Sequence, residues 1–106
     1  MGRTEYNKIV RDRIPEIIEN SGKRAVCHIP EEHEIIEGLE AKLREELNEY
    51  LADHSLEEMA DLLEVMRGIL YHRGVSWEDL ERIRLKKYEK RGGFERGIYL
   101  EATEEI

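Results

Sequence analysis

The stretch 42–68, KLREELNEYLADHSLEEMADLLEVMRG, carries Glu45, Glu46 and Glu49 on one side of Asp53-His54-Ser55 and Glu57, Glu58 and Asp61 on the other. Glu46 and Glu49 are three residues apart, as are Glu58 and Asp61. If each segment is helical, each pair shares one helix face. A tight turn at 53–55 would fold two such helices antiparallel, setting Glu46 level with Asp61 and Glu49 level with Glu58. Converging faces would then bring four like charges into a small space, which calls for a cation. Oxygen donors without His or Cys suit Mg²⁺ or Mn²⁺ better than zinc.

The elements that must position these acids are legible in the apolar spacing. Pro30 opens a long helix predicted over 31–53, with Ile36, Leu39, Leu43, Leu47 and Tyr50 as an amphipathic stripe. At 100° per residue Glu46 flanks that stripe, Glu49 lies further round, and Glu45 lies nearly opposite, toward solvent. Ser55 is an N-cap for a second helix over 56–73, and Gly74 is its stop. Met59, Leu62, Leu63, Val65, Met66, Ile69 and Leu70 give this helix a wide apolar arc, so it is expected to be the most buried. Glu58 falls in the column of Leu62, Val65 and Ile69, and Asp61 borders it. Carboxylates on an apolar side need a reason, because burying an unpaired charge is costly.

Plainer readings stand beside this one. Ser55-Leu56-Glu57-Glu58 fits a capping box in which Glu58 bonds back to the Ser55 amide. That would account for Glu58 and leave Glu46, Glu49 and Asp61 unexplained. Acidic residues number 25 of 106, so clusters also arise by chance.

The remaining segments are shorter. A helix is expected over 15–20, with Pro15 in its first turn and Gly22 as its stop. Lys8, Arg11 and Arg13 make the segment before it basic, as a charged arm or as substrate contacts. Residues 24–29 (RAVCHI) and 98–102 are short β-like runs that could pair. Ser76 caps a third long helix over 77–90, with Trp77, Leu80 and Ile83 on its inner face. It ends in Lys86, Lys87, Lys90 and Arg91, followed by Gly92-Gly93-Phe94. Cations at a helix C-terminus are favoured by the dipole alone. They could also bind phosphate, with the glycines allowing close backbone approach.

Composition sets the outer limits. The length suits one domain, 1–106, with a small core that oligomerisation would enlarge. Charged residues make up 40% and aromatics 7%, a balance suited to amphipathic helices. A net charge of -8 argues against a nucleic-acid duplex as the main partner. The single cysteine, Cys27, excludes an internal disulfide, and the four histidines have no HExxH spacing. No apolar run marks a signal peptide or a membrane span, so a cytoplasmic protein is expected.

Glu45-Glu46-Leu47-Asn48-Glu49 followed by Glu58-Met59-Ala60-Asp61 resembles the EExxE…ExxD pattern of the MazG-like all-α nucleoside triphosphate pyrophosphohydrolases. The opening YNKIVRDRIPEII and the closing KKYEKRGGFERGIYL look like the phosphoribosyl-ATP pyrophosphohydrolase-like subgroup, and the three segments together cover most of the chain. The resemblance implies a mainly all-α helical bundle around the antiparallel hairpin, assembled as a homodimer or homotetramer. It implies Mg²⁺-dependent hydrolysis of a nucleoside triphosphate to the monophosphate and pyrophosphate, with Mn²⁺ as a substitute ion. Glu46, Glu49, Glu58 and Asp61 match the metal ligands, and Glu45, Glu46 and Glu49 are the catalytic candidates of the first motif. Lys8, Arg11, Lys87, Lys90 and Arg91 are candidates for binding the polyphosphate, whose charge an acidic protein must meet through metal ions. Non-standard or surplus nucleotides are the expected substrates. Phosphoribosyl-ATP of histidine biosynthesis and an inactive helical dimerisation module remain as alternatives.

Overall fold

The computed structural model describes residues 2–106. The fold is all-α, with four helices: α1 (Ile14–Asn20), α2 (Glu32–Asp53), α3 (Leu56–Arg73) and α4 (Trp77–Arg91). The helix limits follow the expected ones within a residue. The chain divides into two compact units, Met1–Val75 and Ser76–Ile106. None of the described helices is long and apolar enough to cross a membrane.

In the first unit, α2 and α3 form the expected hairpin. Glu31 caps α2 through a reciprocal box with Glu34: the Glu31 carboxylate accepts from the backbone at Glu34, and the Glu31 amide donates to Glu34 Oε1 at 3.4 Å. At its other end α2 stops because His54 turns left-handed, φ 57°, and donates its amide to the Tyr50 carbonyl at 2.6 Å. The His54 ring then meets Tyr50 edge-on, with centroids 5.5 Å apart. Ser55 Oγ accepts from the Glu58 amide at 3.2 Å and starts α3. Gly74, φ 69°, ends it. At the far end of the hairpin, His72 Nδ1 and Glu32 Oε1 lie 2.6 Å apart and tie the two helices together. Gly68 faces Leu39 of α2, whose methyls lie 3.5 and 3.6 Å from where a Cβ would be, ordinary contact distances.

Several expectations are corrected. Helix α3 is not deeply buried: only Val65, 8% exposed, is enclosed, while Met59, Leu63 and Met66 lie open. A single neighbouring helix covers only part of an apolar arc this wide. In α2, Ile36, Leu39, Leu43 and Tyr50 are half-buried as the stripe predicts, but Leu47 is exposed. Neither 24–29 nor 98–102 is a strand. Val26, Ile29, Ile98 and Tyr99 are exposed, and an extended segment without a ladder partner has nothing to hold it in a sheet.

In the second unit, Ser76 Oγ accepts from the Asp79 amide at 3.0 Å, as an N-cap should, and Gly92 ends α4. Trp77 and Leu80 are half-buried, but Ile83 is exposed rather than inward-facing. Residues 101–106 are exposed and carry no regular secondary structure.

Candidate metal centre

The two long helices bring acids from both motifs together. Oxygens of Glu46, Glu58 and Asp61 lie within 4.8 Å of one another. Glu46 is the one enclosed residue of α2, 6% exposed, in a chain with almost no enclosed side chains. One oxygen of Glu46 and one of Glu58, Oε2 in each, are buried with no hydrogen-bond partner among the described residues. Glu49 stands on the rim, exposed, and acts on both. Glu46 and Asp61 thus meet as the level pairing expects, and Glu49 stands within hydrogen-bonding reach of Glu58.

The electrostatics record this crowding. Burial holds the Glu46 carboxyl above its usual range; Glu49 and Asp61 add to the shift and Lys42 opposes it. Glu58 is pushed up to about 7, first by desolvation, then by hydrogen bonding and charge from Glu49, with Asp53 and Asp61 contributing. Buried carboxylate oxygens without donors are costly, and a cation among them would remove that cost. The donor set is oxygen only, which fits a hard divalent ion.

The capping box at Ser55 is only half made. The Ser55 amide donates to Asp53 Oδ1 at 3.0 Å, leaving Glu58 without that role. Its carboxylate is accordingly turned to the cluster. A full box is formed instead at Glu31 and Glu34, because Glu31 is the N-cap of α2 rather than its first helical residue. Glu31, His33 and Glu34 also bring donors together, but all three are exposed and the two glutamates are engaged in capping.

Glu45 is neither solvent-facing nor in the cluster. It is half-buried, with Lys8 Nζ 2.9 Å from its Oε1 and Lys42 Nζ 3.6 Å from its Oε2. The Lys8 hydrogen bond keeps its carboxyl below the usual range. Lys42 also reaches Glu46 Oε1 at 3.5 Å. Sequence reasoning missed Lys42, although its spacing of three and four from Glu45 and Glu46 was the signal. Lys8 and Arg11, candidates for phosphate contacts, are occupied by acids of the hairpin: Arg11 Nη2 lies 2.6 Å from Asp61 Oδ1.

On α4, Ile83, Lys86, Lys87, Lys90 and Arg91 line a groove of about 240 Å³. None of its four cations has an ion-pair partner among the described residues, whereas Arg82 and Arg84 on the same helix pair with Asp79 and Glu81. Close approach to the glycines is already used from within. A Cβ on Gly93 would strike the Glu95 carboxylate and come 2.9 Å from the Tyr88 ring, so this glycine accommodates an acid rather than an anion's approach. Glu46, Glu58 and Asp61, with Glu49 beside them, thus make a carboxylate site whose enclosed member and two unpartnered oxygens distinguish it from an ordinary acidic surface. Comparison with known proteins returns no matching family model, no matching curated protein and no matching solved structure.

Proposed function

We propose that the hairpin holds a divalent cation, Mg²⁺ or Mn²⁺, and that the protein hydrolyses a nucleoside triphosphate, non-standard or surplus, to the monophosphate and pyrophosphate. The observation that carries this reading is the pair of buried, unpartnered oxygens on Glu46 and Glu58. Glu46, Glu58 and Asp61 would hold the ion, with Glu49 as a fourth donor at the rim. When bound, the ion would neutralise carboxylates and polyphosphate together and acidify a water for attack.

The chain's own residues divide the rest of the work. Glu49, if it stays off the ion, would be free to orient the water or take its proton, and its exposure supports that role. Lys87, Lys90 and Arg91, unpaired among the described residues, are the candidates that the resemblance supplies for contacting polyphosphate. The acidic motifs and their resemblance to the MazG-like pyrophosphohydrolases supply the choice of reaction.

The same reading makes the protein a cytoplasmic homo-oligomer. Leu47, Leu51, Met59, Leu63 and Met66 leave apolar surface open on the hairpin, which a second copy would cover. Light scattering should give a dimer or tetramer; a stable monomer at micromolar concentration would remove this part.

A panel of nucleoside triphosphates with Mg²⁺, assayed for pyrophosphate release, tests the reaction. Turnover to monophosphate and pyrophosphate that EDTA abolishes is the expected result. Release of orthophosphate instead would place the cleaved bond wrongly, and activity in EDTA would remove the metal.

A further inference from the structure

Gly38, on α2, leaves no room for a side chain. A Cβ there would lie 2.5 Å from Ile9 Cγ1 and 3.4 Å from its Cδ1. Ile9 thus rests directly on the α2 backbone and is half-buried, while Lys8 and Val10 beside it are exposed. On either side of this seat a cation reaches the hairpin. Lys8 meets Glu45 of α2 at 2.9 Å, and Arg11 meets Asp61 of α3 at 2.6 Å. The segment has no regular secondary structure, and Ile9 with these two ion pairs attaches it to the hairpin.

We propose that the 8–11 segment is an internal counter-cation of the carboxylate site, which a divalent ion displaces from Asp61, and that Gly38 is the notch that seats it. This rests on reading the hairpin as a divalent-cation site. A guanidinium 2.6 Å from Asp61 neutralises one of the three acids that would hold the ion. Arg11 and Asp61 are both more than a third exposed, so their pair is weak and exchangeable. Glu46 Oε2 and Glu58 Oε2 have no partner among the described residues, so those buried oxygens stay ready for the ion while Arg11 pairs directly with Asp61. Once displaced, Arg11 remains tethered through Ile9 beside the site, where its planar fork suits an anion arriving with the ion. Gly38 and Ile9 act through Arg11 and are positioning residues.

Calorimetric titration of Mn²⁺ into the full chain at low salt, with R11A and G38V alongside, tests this. R11A sits at an exposed position and is expected to fold. It should bind Mn²⁺ about two- to fivefold tighter than the parent, the scale set by losing one weak competing pair. G38V, which unseats Ile9, should shift in the same direction. The Arg11 side-chain Nε–H resonance should shift in the parent when Mg²⁺ binds. Equal or weaker Mn²⁺ binding by R11A, or an unmoved Arg11 resonance in a parent that binds Mg²⁺, overturns the counter-cation and leaves the cation site standing. Absence of Mn²⁺ binding in both parent and R11A overturns the two together.

Discussion

Glu46 on α2 and Glu58 on α3 each bury one carboxylate oxygen without a partner, and their oxygens lie within 4.8 Å of one another and of Asp61. Without a cation these acids repel one another across the hairpin. Glu46→Gln should therefore stabilise the metal-free protein by about 0.5–2 kcal/mol, the usual scale of a stability–function trade-off. The same change should abolish most turnover and most of the Tm rise caused by Mg²⁺, since binding to the folded state stabilises by mass action. Asp61→Asn should give little or no gain, because it also weakens the pair with Arg11. Thermal melts in EDTA and in Mg²⁺, beside an activity assay, check this; a parent-like Mg²⁺ shift in Glu46→Gln would sink the site.

Metal-free stability should depend on pH in a direction opposite to that of a salt-bridged acid. Glu58 has its pKa raised in the fold from the ordinary 4.5 to about 7. The folded state therefore holds this proton more tightly than the unfolded chain. Its contribution is complete below about 4.5 and is lost as the pH rises through about 7. Glu46 shifts in the same sense. Urea unfolding in EDTA should show a loss of stability from pH 5 to pH 8, and Glu58→Gln should flatten that slope.

The unpaired cations of α4 should matter to an anionic substrate and not to the metal. Lys87→Ala and Arg91→Ala should raise KM or lower kcat several-fold, the effect of losing one charge-assisted contact. Mn²⁺ affinity should stay at the parent value in both. If both variants keep parent kinetics, these residues serve only the C-terminal end of the helix dipole.

Gly68 in the middle of α3 offers a separate check on the hairpin packing. An added Cβ would meet the Leu39 methyls at 3.5 and 3.6 Å, ordinary contact distances. Gly68→Ala should therefore fit and stabilise by roughly 0.5–1 kcal/mol, the difference in helix propensity. Denaturant unfolding measures it, and a destabilised variant would mean that the helices lie closer than described.

Local chemistry made most of the fold readable. Ser55, Gly74 and Ser76 mark helix ends through bonds made within four residues, and the structure places the ends there. The convergence of Glu46, Glu58 and Asp61 was legible because a short turn between two helices fixes which residues are level. Contacts between distant segments were not legible. Nothing in the spacing says that Ile9 rests on Gly38 or that Arg11 reaches Asp61, fifty residues away. The exposure of Met59, Leu63 and Met66 was missed for a related reason: an apolar arc records what a helix can bury, not how much of it one neighbour covers. Glu58 was ambiguous because two local bonds compete for the Ser55 amide, and only the backbone at 53–55 decides for Asp53.

The turn itself now reads as a ruler. His54 in its left-handed conformation and Ser55 against Asp53 together set where α3 begins counting relative to the end of α2. One residue inserted in the first turn of α3, with the Ser55 cap held in place, would rotate the side chains beyond it by about 100° and advance them by about 1.5 Å relative to α2, carrying Asp61 away from Glu46. Such a chain could still form two capped helices. The length of this stretch should therefore tolerate change far less than its composition, and an insertion scan along it would separate helix formation from alignment of the acids.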